Sequence, residues 1–326
     1  MQANSFNLSI IVPMYNEGEN VTLFYEKITE VLESNNYTYD IICINDGSKD
    51  DTMERLRLLS KIDTRVKVIN LSRNFGKEIA MSAGLNYSKA DIVIPIDADL
   101  QDPPEVIPLL IEKWKEGYDV VYATRLKRDG ETWLKKATAH TFYRVMGKMT
   151  RFEIPADTGD FRLMTKQVVE ALNQLPEQHR FMKGLFSWVG FKQTSITYYR
   201  EARYAGKSSF NYWKLWNFAI EGITSFSFAP LQIATYLGLI IAVMALVYAS
   251  YLVIATVTLG NPVPGYPSLM VAILFFGGVQ LVTLGVIGEY IGRIYNESKR
   301  RPLYLVKEEL NLDNEPKSIQ LKVLNK

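Results

Sequence analysis

The 326-residue chain has one cysteine, Cys43, and only two histidines, His140 and His179. A single cysteine excludes an internal disulfide and fits a reducing compartment. The histidines belong to no His-rich or Cys-His cluster, so a structural zinc site is not expected. Charge of one sign is lacking too. The 37 Lys and Arg against 35 Asp and Glu leave a net charge of +2, without the basic excess that would indicate a nucleic-acid partner. No Gly-x-Gly-x-x-Gly follows the first apolar run, and no Gly-x-x-x-x-Gly-Lys-Ser/Thr occurs. These absences argue against a dinucleotide fingerprint and a P-loop nucleotidase. The N-terminus has no basic region ahead of Leu8 to Val12, and that apolar run is too short for a signal peptide. The soluble part is therefore expected to stay in the cytoplasm.

The most informative absence is local. From Gly222 to Gly288, 67 consecutive residues carry no Asp, Glu, Lys, Arg or His. Within this stretch Leu231 to Thr258 and Leu269 to Ile287 are apolar runs, each able to reach the roughly 20 residues that cross a hydrocarbon core as helix. Between them, residues 260–267 (Gly-Asn-Pro-Val-Pro-Gly-Tyr-Pro) form a breaker-rich turn. The expectation is a two-helix transmembrane hairpin over 229–292; a large buried helical core is the alternative. Arg200, Arg203, Lys207 and Lys214 precede the first span, and Arg293, Lys299, Arg300 and Arg301 follow the second. The connecting turn carries no charge, so the positive-inside tendency places both termini in the cytoplasm.

Two further segments have interfacial character. Trp133, Leu134, Ala137, Thr141, Val145 and Met149 can share one helical face, with Lys135, Lys136, Arg144 and Lys148 around another. Phe210, Tyr212, Trp213, Trp216 and Phe218 place aromatic rings directly before the first span, as at a headgroup boundary. Ordinary surface-helix or core packing is the competing reading of each. The organisation expected is a domain over 1–210, a juxtamembrane segment over 211–228, the hairpin, and a cytoplasmic tail over 293–326.

Residues 8 to 123 alternate between short apolar runs and amphipathic stretches. Leu8 to Val12, Tyr39 to Ile44, Val66 to Leu71, Asp91 to Ile96 and Asp119 to Ala123 are predicted strands; 19–35, 51–61, 76–88 and 104–116 are predicted helices. This rhythm specifies an α/β, Rossmann-like, mostly parallel sheet with helices on both faces, where ligands collect at the carboxyl ends of strands. Four successive strand ends are polar: Pro13-Met14-Tyr15-Asn16-Glu17, Asn45-Asp46-Gly47-Ser48, Ser72-Arg73-Asn74-Phe75-Gly76-Lys77 and Asp97-Ala98-Asp99. A lone Asp-Gly is ordinary turn chemistry. Four such ends converging on one rim are a candidate site. In Asp97-Ala98-Asp99 two carboxylates repel one another unless a cation shares them, and hard oxygen ligands suit Mg²⁺ or Mn²⁺. Such an ion neutralises a diphosphate leaving group.

Ile11 to Glu17, Asn45 to Ser48, Asp97-Ala98-Asp99-Leu100-Gln101-Asp102-Pro103-Pro104 and Thr158-Gly159-Asp160-Phe161-Arg162 together resemble the GT-A fold glycosyltransferases of family 2. More narrowly they resemble the polyprenyl-phosphate sugar transferases, the group of dolichol-phosphate mannose synthase and the bacterial bactoprenol glucosyl transferases. The resemblance covers residues 6 to about 210, and the two-span tail matches the bacterial branch.

That resemblance implies an inverting, metal-dependent transfer of one sugar from a nucleotide sugar to undecaprenyl (polyprenyl) phosphate at the inner membrane. UDP-glucose is the donor favoured, with GDP-mannose or another UDP-sugar as alternatives. Pro13, Tyr15, Glu17, Asp46, Asp97 and Ala98 would bind the nucleotide sugar, and Asp99 and Gln101 would face the metal-bound diphosphate. Asp157 would stand near the reacting centre in the place of the family's base, with Asp160 as a rival. Arg125, Arg128, Arg203 and Lys207 are candidates for acceptor phosphate or diphosphate contact; the last two lie in a segment, 203–209, resembling the family's mobile basic loop. A homo-oligomer is expected through Gly277, Gly278, Gly285 and Gly288 in the second span, contact within the hairpin being the other use of those glycines. The competing functions are a processive synthase, disfavoured by the absence of Gln-x-x-Arg-Trp, a nucleotidyltransferase, and a membrane scaffold or flippase partner.

Overall fold

The computed structural model describes residues 6–125, 158–178, 180–199, 229–259 and 265–312. Its first half follows the predicted alternation. Strands β1 (Asn7–Met14), β2 (Thr38–Asn45), β3 (Val66–Leu71), β4 (Ile92–Pro95) and β5 (Val120–Arg125) alternate with helices α1 (Gly18–Ser34), α2 (Thr52–Ile62), α3 (Lys77–Tyr87) and α4 (Ile107–Lys115). A 3-10 turn, Pro104–Val106, leads into α4. Next come β6 (Thr158–Thr165), α5 (Lys166–Gln174), α6 (Met182–Trp188) and β7 (Gln193–Tyr198). Two long helices, α7 (Ala229–Leu259) and α8 (Tyr266–Ser298), precede a last strand, β8 (Val306–Leu310).

The eight strands form one sheet in the order β7-β5-β6-β4-β1-β2-β3-β8. Strands β4, β1, β2 and β3 are mutually parallel, as right-handed βαβ crossovers require. Strand β6 runs antiparallel between β4 and β5, so the sheet is mixed at this end. Alternation along β1 explains the layering. Leu8, Ile10 and Val12 pack on Phe24, Ile28 and Leu32 of α1 and on α2 and α4. Ile11 points to the other face, with Ile42 and Ile44, against α3, α5 and α6. Helix α3 can lie this close to the sheet because of Gly84. A Cβ there would sit 2.3 Å from Ile11 Cγ2 and 2.7 Å from Ile44 Cδ1.

Helices α7 and α8 have 31 and 33 residues, about 45–50 Å at 1.5 Å per residue, longer than a hydrocarbon core of about 30 Å. They pack on each other as a hairpin. Their large apolar residues face outward: Ile233, Leu239, Val247, Ile254, Leu281 and Val282 are each more than half exposed, the reverse of a buried helical core. Among the described residues one stretch, Phe275–Ser298, is long and apolar enough to cross a membrane; in α7 the apolar segment Leu231–Ala245 falls short of span length. The two helices therefore pair as a hairpin, and among the described residues only one of them carries a stretch both long and apolar enough to cross. The interfacial segments expected at 133–149 and 210–218, and the turn at 260–264, lie outside the described residues.

Where the sequence reading places a cytoplasmic tail, the chain returns to the sheet. Strand β8 pairs antiparallel with β3. Asn311 Nδ2 donates to the carbonyls of Ser60 and Val66 at 2.6 and 2.9 Å, and Arg57 pairs with Glu308 at 2.6 Å. The lower end of α8 is also tied down: Gln178 donates its backbone N–H to Glu297 Oε1 and its side-chain amide to the Arg301 carbonyl, both at 2.8 Å.

Candidate active site

The polar strand ends meet along the carboxyl edge of β1, β2, β3 and β4. Pro13 and Met14 close β1, and the turn that follows passes through Asn16 at φ 55°. Asn16 N–H donates to Ser48 Oγ at 2.9 Å, and Lys49 N–H donates to Asn16 Oδ1 at 2.8 Å. Glu17 N–H donates to Thr52 Oγ1, and Gly18 N–H to Asp50 Oδ2. The turns after β1 and β2 are thereby stitched into one wall, with Tyr15 standing exposed on it. Glu17 accepts from Asn20 Nδ2 at 2.6 Å, which holds its carboxylate over the start of α1.

Asp46 is buried at the end of β2. Its two oxygens accept from the backbone N–H groups of Phe75 and Gly76 at 2.7 and 2.9 Å. Burial pushes its carboxyl up, and these two donors and Arg73 partly offset the rise. The contact needs Gly47, at φ 66°, because a Cβ there would lie 2.5 Å from the Arg73 carbonyl carbon and the Asn74 nitrogen. Asp46 thus clasps the loop leading into α3, and the candidate nucleotide wall is fixed from behind.

Asp97, Ala98, Asp99 and Gln101 follow β4. Ala98 and Asp99 are buried, and Gln101 N–H donates to Asp99 Oδ1 at 3.2 Å. The turn passes through Leu100 at φ 56°. Lys77 Nζ reaches Asp97 Oδ1 at 2.7 Å and Asp97 Oδ2 at 2.8 Å, and Asp160 Oδ2 at 2.6 Å. One half-exposed ammonium therefore bridges the end of β4 to β6. Asp97 is engaged by Lys77, and Asp99 and Gln101 follow it in the same turn. A carboxylate and an amide carbonyl are a hard set that fits Mg²⁺ or Mn²⁺.

Behind Asp160 lies a charged layer that the sequence did not announce. Arg162 is buried, stacks 3.8 Å from the Phe186 ring centre and donates to the Gly159 carbonyl at 2.9 Å. Burial pushes its guanidinium down to about 10 against the pull of Asp160 and Glu78. Burial would raise Asp160, but Lys77, Lys183 and Arg162 outweigh it and hold the carboxyl well below the usual range. Glu78 goes the other way: burial, then repulsion from Asp160, pushes it up to about 8. Among the described residues, Glu78 Oε2 and Asp160 Oδ1 have no hydrogen-bond partner.

This layer has a pH signature. Glu78 keeps its proton in the folded chain up to about pH 8, whereas unfolded it releases it near 4.5. Its contribution is fully present below pH 4.5 and is lost as pH rises through 8. Glu78→Gln should match the parent near pH 4 and gain on it as pH rises to 8.5, by up to about 5 kcal/mol on the scale of 1.36 kcal/mol per pKa unit. Thermal midpoints in detergent at the two pH values test this; an equal offset at both refutes it.

The structure thus brings together Pro13, Tyr15, Glu17, Asp46, Asp97, Ala98, Asp99 and Gln101 at one edge, and adds Asp160 to them. Arg125 ends β5, whereas Asp157, Arg128, Arg203 and Lys207 lie outside the described residues. Lys77 entered the sequence reading only as the last residue of the polar segment 72–77, and Glu78 not at all. A signal for Lys77 exists: a lysine in the first turn of a helix opposes the helix dipole and calls for carboxylate partners.

The Glycosyl transferase family 2 model matches residues 9–172, and the GtrB C-terminal hairpin model matches residues 229–294. An uncharacterised glycosyltransferase of Synechocystis sp. is 58% identical over 96% of this chain and 98% of its own. The bactoprenol glucosyl transferase of Shigella phage SfV is 51% identical over 93% of this chain and 98% of its own. Among solved structures, mannosyl-3-phosphoglycerate synthase from Rubrobacter xylanophilus aligns at a TM-score of 0.47 and 16% identity, over 66% of this chain and 71% of that one, too loosely to add to the argument. With a family model running from β1 through β6 across Asp97 and Asp99, and relatives matched almost end to end, the chain belongs to glycosyl transferase family 2 and is a glycosyltransferase.

Proposed function

We propose that this glycosyltransferase moves one glucose from UDP-glucose to undecaprenyl or a similar polyprenyl phosphate, with inversion, at the cytoplasmic face of a membrane. The observation that carries this reading is the joining in one chain of the Asp97–Asp99 rim to a lipid-facing hairpin, in the order found along nearly the whole bactoprenol glucosyl transferase. An acceptor phosphate oxygen attacks the anomeric carbon, the bond from that carbon to the diphosphate oxygen breaks, and nucleoside diphosphate departs. The acceptor is already largely ionised, its second pKa being about 6, so strong base catalysis is not required. Asp157, or its neighbour Asp160, then orients the acceptor or balances charge. Asp99 and Gln101 would hold Mg²⁺ or Mn²⁺, which when bound neutralises the donor diphosphate. Pro13, Tyr15 and Glu17 would line the nucleotide pocket, Asp46 and Asp97 would shape it, and Arg125, Arg128, Arg203 and Lys207 would take the acceptor phosphate or the diphosphate. Positioning and electrostatic stabilisation supply most of the rate in such a site.

The return of β8 supports two crossings rather than one. Strand β3 precedes the hairpin and β8 follows it, yet they are hydrogen-bonded neighbours. If α8 crosses the bilayer, an odd number of crossings would leave these strands on opposite sides. An even number puts the sheet and residues 299–312 on one side, which the flanking Arg and Lys identify as the cytoplasm. A homo-oligomer fits the second helix: a Cβ on Gly277, Gly278, Gly285 or Gly288 would meet nothing within 4 Å among the described residues, leaving that face open to a second copy.

The test is transfer of labelled sugar from UDP- and GDP-sugars into undecaprenyl phosphate by the full chain in lipid with Mg²⁺ or Mn²⁺. Labelling from UDP-glucose with release of UDP is expected. Labelling from GDP-mannose alone would move the donor, and no labelled lipid from any donor would overturn the reading.

A further inference from the structure

Asp102 and Tyr198 are among the most buried polar side chains of the catalytic half, and they meet although 96 residues separate them. The Tyr198 hydroxyl donates to Asp102 Oδ1. Asp102 ends the turn that begins at Asp97, and Tyr198 is the last residue of β7. The Tyr198 ring also meets Phe161 edge to face, centroids 6.1 Å apart at 82°, and Phe161 follows Asp160 on β6.

Between these anchors lies the one turn that carries both candidate cation ligands. Its near end is fixed to the sheet, where Ile96 N–H donates to the Ile11 carbonyl at 3.0 Å. Its middle is strained, since Leu100 has a φ of 56° and a branched side chain gains nothing from the left-handed region. Such a conformation persists only where its surroundings hold it. At the far end Pro103 and Pro104 restrict the backbone, and the buried Asp102 carboxylate requires a donor, which Tyr198 provides.

We propose that Tyr198 is a positioning residue: through Asp102 it holds Leu100 in its strained turn and so keeps Asp99 and Gln101 aimed at a metal-bound nucleoside diphosphate. This rests on the assignment of Asp99 and Gln101 to the cation. In this role Tyr198 acts through Asp102, on the half of the donor that the metal would engage, and leaves the wall at Pro13, Tyr15 and Asp46 as it is.

The experiment is calorimetric binding of UDP to the full chain in detergent, with and without Mn²⁺, for the parent, Tyr198→Phe, Asp102→Ala and the double variant. Tyr198→Phe keeps the ring and its contact with Phe161. It should weaken UDP binding with Mn²⁺ about tenfold, as expected for losing one charge-assisted hydrogen bond, and leave metal-free UDP binding within about twofold. Asp102→Ala should weaken binding with Mn²⁺ at least as much, and adding Tyr198→Phe to Asp102→Ala should cost nothing more, because the tyrosine acts through that carboxylate. In turnover the loss should fall on the KM for UDP-glucose and on the Mn²⁺ needed for half-maximal rate. Unchanged binding with Mn²⁺ in Tyr198→Phe, or equal losses with and without metal, would overturn the inference. A parent protein whose UDP affinity does not respond to Mn²⁺ would instead overturn the cation assignment.

Discussion

Asp99→Asn is expected to lower sugar transfer about a thousandfold, about 4 kcal/mol in the barrier, while the chain stays folded. The side chain is buried at the end of β4, and Gln101 N–H donates to its Oδ1, a bond the asparagine oxygen can still accept. What the substitution removes is the anionic charge. Asp97 cannot replace it, because Lys77 already lies against both of its oxygens. The loss should therefore persist at saturating donor, with excess Mn²⁺ recovering only a small part. Initial rates of lipid labelling over a range of Mn²⁺ concentrations, with a thermal midpoint alongside, give the answer. A variant that keeps a tenth of the parent rate would show that Asp99 does not hold the cation.

Cutting the chain after Arg301 is expected to cost about 4 kcal/mol or more of stability and to leave an aggregating protein. The cut removes β8 and with it Tyr304, buried against the α3 side of the core, together with Val306 and Leu310. Fully burying one large side chain is worth about 1.5–3 kcal/mol, and two partly buried neighbours add to it. The cut also exposes the ladder groups of β3, an apolar strand that would become an open sheet edge. Glu308→Ala makes the control: its ion pair with Arg57 is solvent-exposed and should be worth less than about 1 kcal/mol. Size-exclusion profiles and thermal midpoints in one detergent compare them. A truncated chain as monodisperse and as stable as the parent would show that β8 is dispensable.

The strands from β1 to β5 and helices from α1 to α4 were legible within about two residues, save that the expected start of α4 at residue 104 is a 3-10 turn. Parallel strands buried on both faces give continuous apolar runs, as in Ile41 to Ile44 or Ile92 to Ile94, and polar loops bound them sharply. The later strands hide for separate reasons. Strand β6 carries Asp160 and Arg162 inside the sheet, breaking its alternation where the site needs charge. Strand β8 reads Val-Lys-Glu-Glu-Leu, the composition of a solvated tail, because charge on an edge strand discourages further pairing.

The carboxylates of the site were legible from their place after predicted strands. Their partners were not. Nothing local in the sequence joins Lys77 to Asp160, or Tyr198 to Asp102, across such separations. The hairpin was legible from its missing charge, which composition records directly, whereas the anchoring of α8 by Gln178 depends on a fold already formed.

The lateness of β8 also orders the birth of the molecule. Strand β3 leaves the ribosome long before β8, separated from it by the rest of the catalytic domain and both hairpin helices. At about 5–20 residues per second the growing chain waits on the order of tens of seconds with that edge bare. With the two crossings proposed above, only a chain whose hairpin has looped into the bilayer and come back can supply the missing strand. Closure of the sheet then records correct insertion, and a chain that inserts wrongly keeps an open edge for chaperones and proteases to find.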